Sequence, residues 1–225
     1  NSYAIRIKEI EAGQGEVRPN NVLVMDPRGD KIELAGEETV EPTFGLPAMW
    51  VSEGTREEAT FRGYTVVDPP TVVTTHLTEI IKDNIAELLS YSETQKLLDE
   101  LDSDQGKLVE DLIPGQISVG GVQRVLKNLL QERISIRDLA TILEGISEAA
   151  GFTQNTTLLT EHVRARLSRQ ISHAAVNEAG YVPLVTLSPE WERSFAESLI
   201  GQGDDVQLSL PPSRLQEFIG AVRET

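Results

Sequence analysis

The sequence predicts an α+β protein of several small subdomains: a β-rich N-terminal part, a helical, winged-helix-like middle and a small α/β C-terminal part. Alternating apolar residues and tight-turn chemistry run from Tyr3 to Tyr64. After Asp68-Pro69-Pro70 the apolar period lengthens to about 3.6 residues. Beyond Ile171 both patterns recur in short stretches.

In the first part Ala4-Ile5-Arg6-Ile7-Lys8 alternates as a strand, and Gly13-Gln14-Gly15 reads as a hairpin turn. Val22-Leu23-Val24-Met25 is a second strand, stopped by Asp26-Pro27-Arg28-Gly29. A punctuated stretch, Glu41-Pro42-Thr43-Phe44-Gly45-Leu46-Pro47, precedes the buried strand expected at Ala48-Met49-Trp50-Val51, and Tyr64-Thr65-Val66-Val67 supplies one more.

In the middle, Val73, Leu77, Ile80, Ile81, Ile85, Leu88 and Leu89 fall on one stripe of a long helix. Ser92 with Gln95 reads as a capping box for a second helix carrying Leu97, Leu98 and Leu101. A third runs through Val119, Val122, Val125, Leu126, Leu129 and Leu130. Ser135 with Asp138 reads as the box of a fourth, through Leu139, Ile142, Leu143 and Ile146 to Gly151.

The tail begins with a helix around Leu158 to Val176 and a strand at Tyr181 to Leu187. Ser188 and Pro189 then open a helix with Trp191, Phe195 and Leu199. A strand from Val206 to Leu210 leads to a last helix capped by Ser213 and carrying Leu215, Phe218, Ile219 and Val222.

A chain of 225 residues suits about two to four compact modules, with cores built from aliphatic side chains because aromatics make up only 5%. The formal charge of −16 repels phosphate backbones and anionic lipid surfaces, which argues against nucleic acid as a partner. With no cysteine there are no disulfides, thiol nucleophiles or thiolate metal sites. No apolar run approaches the roughly 20 residues of a membrane span. Asn1-Ser2-Tyr3 lacks an initiator methionine and a signal-like apolar region, so the chain reads as a segment of a longer protein.

The residues point to no catalytic, cofactor or metal site. There is no phosphate-binding glycine loop. His162 and His173 share a helical face, but at ~1.5 Å per residue they stand about 16 Å apart, too far for one ion. Asp99, Glu100, Asp102 and Asp104 before Gly106 suggest a calcium loop, but a loop starting at Asp102 would put Lys107 and Ile113 at its sixth and twelfth positions, so a solvated helix end is the better reading. A hydrolase using paired carboxylates finds no particular pair to support it. The helices on either side of Glu132 to Ser135 could form a nucleic-acid-binding helix-turn-helix, but the second carries Asp138, Glu144 and Glu148 against a single Arg137. Arg164, Arg166 and Arg169 form a small basic patch that suits a subunit or domain contact.

Four segments, EPTFGLPAMWV, GYTVVDPPTVVTTHLTEII, EDLIPGQISVGGVQRVLKNLLQERISIRDLATILEGI and HVRARLSRQI, in this order along nearly the whole chain, resemble the cytoplasmic domains of the type III secretion export gate family, in its flagellar FlhA branch. The resemblance implies a membrane-embedded half elsewhere in the protein and a cytoplasmic half at the inner face of the bacterial inner membrane, assembled as a nine-membered ring. It also implies four subdomains: 1–20 with 61–82 as the remainder of the first, 21–60 as an inserted β-rich second, 83–170 as a helical third, and 171–225 as a truncated α/β fourth. Partners expected on that basis are export chaperones with bound substrates, the export switch protein, the ATPase complex stalk and further copies of the chain. No nucleic acid and no enzymatic activity are expected, and the virulence (injectisome) branch is the alternative within the family.

The family's chaperone-docking motif maps onto Glu41, Pro42, Phe44 and Gly45, together with Thr75 beside His76. On the residues alone, Phe44 either presents its ring to a partner helix or plugs a joint between modules. Thr75 either joins the site or packs within its helix. If the site docks a partner, Glu41 is expected to accept a hydrogen bond from it.

Overall fold

The computed structural model describes residues 1–101, 103–201 and 206–223 and mixes short sheets with ten helices. The chain divides into two compact units, Asn1–Leu89 and Ser90–Thr225.

The first unit opens on a hairpin of β1 (Ser2–Ile7) and β2 (Ile10–Glu16). Its turn is Lys8-Glu9, where both residues take positive φ (47° and 72°), as a two-residue hairpin turn demands. Gly13-Gln14-Gly15 is therefore not the turn but part of β2, with Gly15 opposite Tyr3 and Gly13 opposite Ile5. These glycines make room for rings. A Cβ on Gly15 would stand 2.6 Å from the Tyr3 hydroxyl oxygen, and one on Gly13 would stand 3.0 Å from both His76 Nε2 and Ile80 Cδ1.

Next comes an antiparallel sheet in the order β4 (Glu37–Val40), β5 (Pro47–Ser52), β3 (Asn21–Met25), β6 (Thr65–Val67). Strand alternation splits its core between two faces. Val22, Val24, Met49 and Val51 pack with Ile32 and with Ala59 of α1 (Arg56–Phe61), while Leu23, Ala48 and Trp50 pack with Val72 of α2 (Pro69–Leu88). Asp68 caps α2 by accepting the Thr71 N–H at 2.8 Å, with Pro69 and Pro70 in the first turn.

The buried face of α2 differs from the expected stripe. Val72, His76 and Ala86 point inward, whereas Leu77 is 41% exposed and Ile81 and Leu88 are each 37% exposed. The helix rests on the sheet through Val72, and His76 is accommodated inside by a hydrogen bond to the Tyr3 hydroxyl. A period count cannot anticipate a histidine made compatible with burial by a distant tyrosine.

The second unit contains α3 (Tyr91–Asp99), α4 (Ser103–Leu112), α5 (Val119–Gln131), α6 (Leu139–Ala150), α7 (Thr156–Arg166) and α8 (Ser168–Ala174). Helix α7 packs on both α5 and α6, α3 on α5, and α4 on α6. Leu126, Leu129, Ile142, Leu143, Ile146, Leu159 and Leu167 are fully buried there. Helix starts are capped as the residue types allow, but twice at a different residue from the one expected. Ser90, not Ser92, caps α3, and Asp138, not Ser135, caps α6 by accepting the Thr141 N–H. The helix expected from Leu158 to Val176 is interrupted at Leu167.

Burial pushes the Asp138 carboxyl up, but hydrogen bonds from Thr141 and Gln170 outweigh it and hold the group below its ordinary value. A carboxyl depressed on folding gives stability that is complete above its unfolded pKa of about 4 and is lost as the pH falls through the lower folded value. Asp138→Asn keeps an oxygen for the Thr141 N–H but cannot titrate. The variant is expected to lose less melting temperature than the wild type between about pH 5 and pH 2, and identical profiles would remove Asp138 from the acid response.

Further on, α9 (Pro189–Glu197) is capped by Ser188, and a short ladder joins β7 (Leu199–Ile200) to β8 (Gln207–Leu208) before α10 (Pro212–Arg223). Trp191, Phe195 and Phe218 stack edge-on or tilted, with the Arg214 guanidinium 4.2 Å over the Trp191 ring. Three expectations fail here. Residues 181–187 form no strand, with Leu184 80% exposed, because an extended segment becomes a strand only where a neighbour completes a ladder. Leu199 sits in β7 instead of on the preceding helix, and α10 starts at Pro212, one residue before its expected cap.

Candidate functional site

The loop between β4 and β5 is drawn tight by its first residue. The Glu41 N–H donates to the Leu46 carbonyl at 2.8 Å, and the Gly45 N–H donates to the Glu41 carbonyl at 3.0 Å. The Glu41 side chain folds over the same turn: Oε1 accepts the Thr43 N–H at 2.9 Å and Oε2 accepts the Phe44 N–H at 2.7 Å. Gly45 has φ 69°, a left-handed conformation that strains any residue with a Cβ. Glu41 is thereby only 4% exposed, whereas the Phe44 ring is 65% exposed. The ring is presented at the surface and does not plug an interior.

Pro42 is half-buried beside it, and Thr43 carries a buried Oγ1 without a hydrogen-bond partner. A buried hydroxyl left unpaired costs about 1–3 kcal/mol, and Thr43→Val removes it at nearly constant shape. That substitution is expected to leave the urea midpoint unchanged or raise it; a lower midpoint would mean the hydroxyl has a partner.

Thr75 is half-buried on α2, next to buried His76. His76 Nδ1 and the Tyr3 hydroxyl are hydrogen-bonded at 2.8 Å, and the rings meet edge to face at 5.8 Å. Burial pushes the Tyr3 phenol up, and the Glu41 charge raises it further. The same Tyr3 side chain bonds His76, the neighbour of Thr75 on α2. No motif marks Tyr3 in the sequence. Its signal was the alternate pair Gly13 and Gly15, which in a hairpin opens space for a ring across the strand.

A hollow of about 290 Å³ opens at the start of α2, lined by Val17, Pro19, Pro69, Pro70 and Val73. A second, of about 440 Å³, includes Thr39, Pro47, Ala48 and Met49 at the foot of the Phe44 loop. Phe44 and Thr75 line neither one.

Among the described residues no group of three or more His, Asp or Glu is placed to hold a metal ion. Asp102, the first position of the calcium reading, lies outside the described residues. His162 pairs with Glu148 at 3.1 Å. Arg166 bridges Glu144 and Glu148, each at 2.7 Å, and Arg164 pairs with Glu132 at 3.3 Å and Glu161 at 2.7 Å. Arg164 and Arg166 of the basic patch are thus tied into ion pairs joining α7 to α6 and to the end of α5.

The model of the FHIPEP family matches residues 1–225. The chain belongs to the FHIPEP family. Among its relatives is the protein of Caulobacter vibrioides named flagellar biosynthesis protein FlhA, 62% identical over 223 residues. That match covers 99% of this FHIPEP chain and 32% of the relative, so the chain spans about a third of the length of that protein. The fold resembles CdsV of Chlamydia pneumoniae, solved in complex with CdsO, with a TM-score of 0.81 and 27% identity over 100% of this chain and 65% of that one. It also resembles the nonameric SctV-C of EPEC, with a TM-score of 0.71, 20% identity and coverage of 96% of this chain and 66% of the other. The latter supports the FHIPEP fold alone. Among the described residues, no helix is long and apolar enough to cross a membrane.

Proposed function

We propose that this chain is part of the docking platform of a flagellar type III export gate. It captures export chaperone–substrate complexes and acts by binding, with no catalysis of its own. The observation that carries the reading is the Phe44 ring, 65% exposed on a loop whose backbone is fixed from within. A preordered aromatic ring on a tight turn is a suitable anchor for the apolar face of a partner helix. Pro42 and Gly45 shape the turn, Glu41 sets it, and Thr75 stands on α2.

Identity of 62% to a flagellar biosynthesis protein favours the flagellar branch over the injectisome branch. The net charge of −16 and the pairing of Arg164 and Arg166 with glutamates argue against a nucleic-acid regulator. On this reading the chain lies at the cytoplasmic face of the bacterial inner membrane, as part of a ring of like copies. The four-part division at 1–20 with 61–82, 21–60, 83–170 and 171–225 describes its subdomains. The complex of CdsV with CdsO supports contacts with other export components, such as the ATPase stalk and the export switch protein. Calorimetric titration of the chain with purified flagellar chaperone–substrate complexes is expected to show saturable heat. Absence of binding to every such complex would discard the proposal.

A further inference from the structure

We infer that Arg18 is a positioning residue for the docking loop, a latch that holds the start of edge strand β4 and through it the turn carrying Phe44; this rests on the docking reading above. β4 stands at the edge of its sheet and has no buried residue, so side-chain packing does little to hold it. Its ladder with β5 is one restraint. The other is a fork of two bonds at its first residue: Arg18 Nε donates to Glu37 Oε2 at 2.9 Å, and Arg18 Nη2 donates to Glu37 Oε1 at 2.6 Å. On its far side the guanidinium is held by Glu16, the last residue of β2, which accepts from Nη1 at 3.0 Å. The backbone beneath it is fixed as well, with the Val17 N–H on the Asn1 carbonyl at 2.8 Å and the Asn21 N–H on the Arg18 carbonyl at 3.0 Å.

β5 lies between β3 and β4 in the sheet, so from the residues leading into β3 to the start of β4 the bridge crosses two strand spacings, about 10 Å. Only a long side chain spans that gap. An exposed ion pair ordinarily contributes little, but a planar guanidinium bound at two points, with a second carboxylate behind it, is the arrangement that contributes most. Its bonds hold the Glu37 carboxyl below the ordinary carboxylate range. β4 runs from Glu37 to Val40 and continues into Glu41, whose N–H and carbonyl close the Phe44 turn, so fraying at the start of this short strand loosens the root of the turn.

The two partners of the latch carry opposite charges, which separates a latch from a long-range field. Arg18→Gln makes the chain more acidic and Glu37→Gln less so, and a field acting on an approaching partner would shift the two variants in opposite directions. A broken latch shifts them the same way, and combining the two substitutions adds no further loss, because either one alone already removes the fork.

The test has two arms. In the free chain, amide hydrogen exchange by NMR at Glu41 and Phe44 is expected to accelerate about two- to fivefold in Arg18→Gln and in Glu37→Gln, and by no more than that in the double variant. Arg18→Glu combined with Glu37→Arg rebuilds the pair in reverse and is expected to return the rates to within about 1.5-fold of wild type. Unchanged exchange in Arg18→Gln, or additive effects in the double variant, overturns the latch whatever happens to binding. In titrations with a flagellar chaperone–substrate complex, each single variant is expected to bind about two- to fivefold more weakly when Phe44 is present, and to stay within about 1.5-fold of its parent in a Phe44→Ala background. Opposite shifts for the two single variants, or equal losses in both backgrounds, overturn the inference. If the wild-type chain takes up no complex, the docking reading falls, and the exchange arm decides the latch by itself.

Discussion

Phe44→Ala is expected to weaken capture of a flagellar chaperone–substrate complex by about thirtyfold, the effect of losing an aromatic anchor worth about 2 kcal/mol, while leaving the unfolding midpoint where it was. The separation of the two effects follows from exposure. A ring 65% exposed in the free chain contributes little to folding, so nearly all of its burial is gained on binding, at about 25 cal/mol per Å² of apolar surface covered. The loop is ordered beforehand by Glu41 and Gly45, so little conformational entropy opposes that gain. Phe61, 93% exposed at the end of α1, is the control: Phe61→Ala removes as much apolar surface from the same unit and is expected to leave affinity unchanged. Isothermal calorimetry on the three proteins decides the matter. Equal affinities for wild type and Phe44→Ala would end the case for this loop as the docking point.

Leu143→Ala should produce the largest loss of stability, about 2–5 kcal/mol, because the fully buried side chain sits on α6 among packed helices and its removal leaves a cavity. The close approach of α6 and α7 at Gly145, where an added Cβ would stand 3.2 Å from Val163 Cγ2, leaves little freedom for the helices to collapse into that space. Leu184→Ala removes the same atoms from a side chain 80% exposed and is expected to change stability by less than about 0.5 kcal/mol. Urea unfolding followed by helical ellipticity compares the two. Similar midpoints for both variants would contradict the burial assigned to Leu143.

The helical middle was the most legible part of the sequence, because its cores follow a single period. Val122, Val125, Leu126 and Leu129 on α5, and Ile142, Leu143 and Ile146 on α6, were identified as apolar faces and are all fully buried. What stayed hidden depended on partners distant in sequence. Edge strand β4 is Glu-Glu-Thr-Val with no buried residue, so nothing but its pairing with β5 marks it. Tyr181 to Leu187 carries the composition of a strand, but no ladder is formed there among the described residues. On α2 much of the expected stripe is exposed, and His76 is buried instead, bonded to Tyr3 73 positions away. At the candidate site Phe44 is exposed, on a turn that the buried Glu41 side chain closes. The bonds of the Glu41 carboxylate to the Thr43 and Phe44 N–H groups could not be read, because they depend on turn geometry and not on residue type.

The opposition of Gly15 and Tyr3 across the first hairpin also bears on how the sequence can drift over generations. With the ring in place, any other residue at 15 brings a carbon to within 2.6 Å of the phenol oxygen, so the ring must shift or shrink before one is accommodated. The permitted order of change is one-way: the aromatic must give way first, and losing it deprives the buried imidazole of its hydrogen-bond partner. Lineages with a larger residue at 15 are therefore expected to carry a smaller residue at 3, whereas the reverse need not hold.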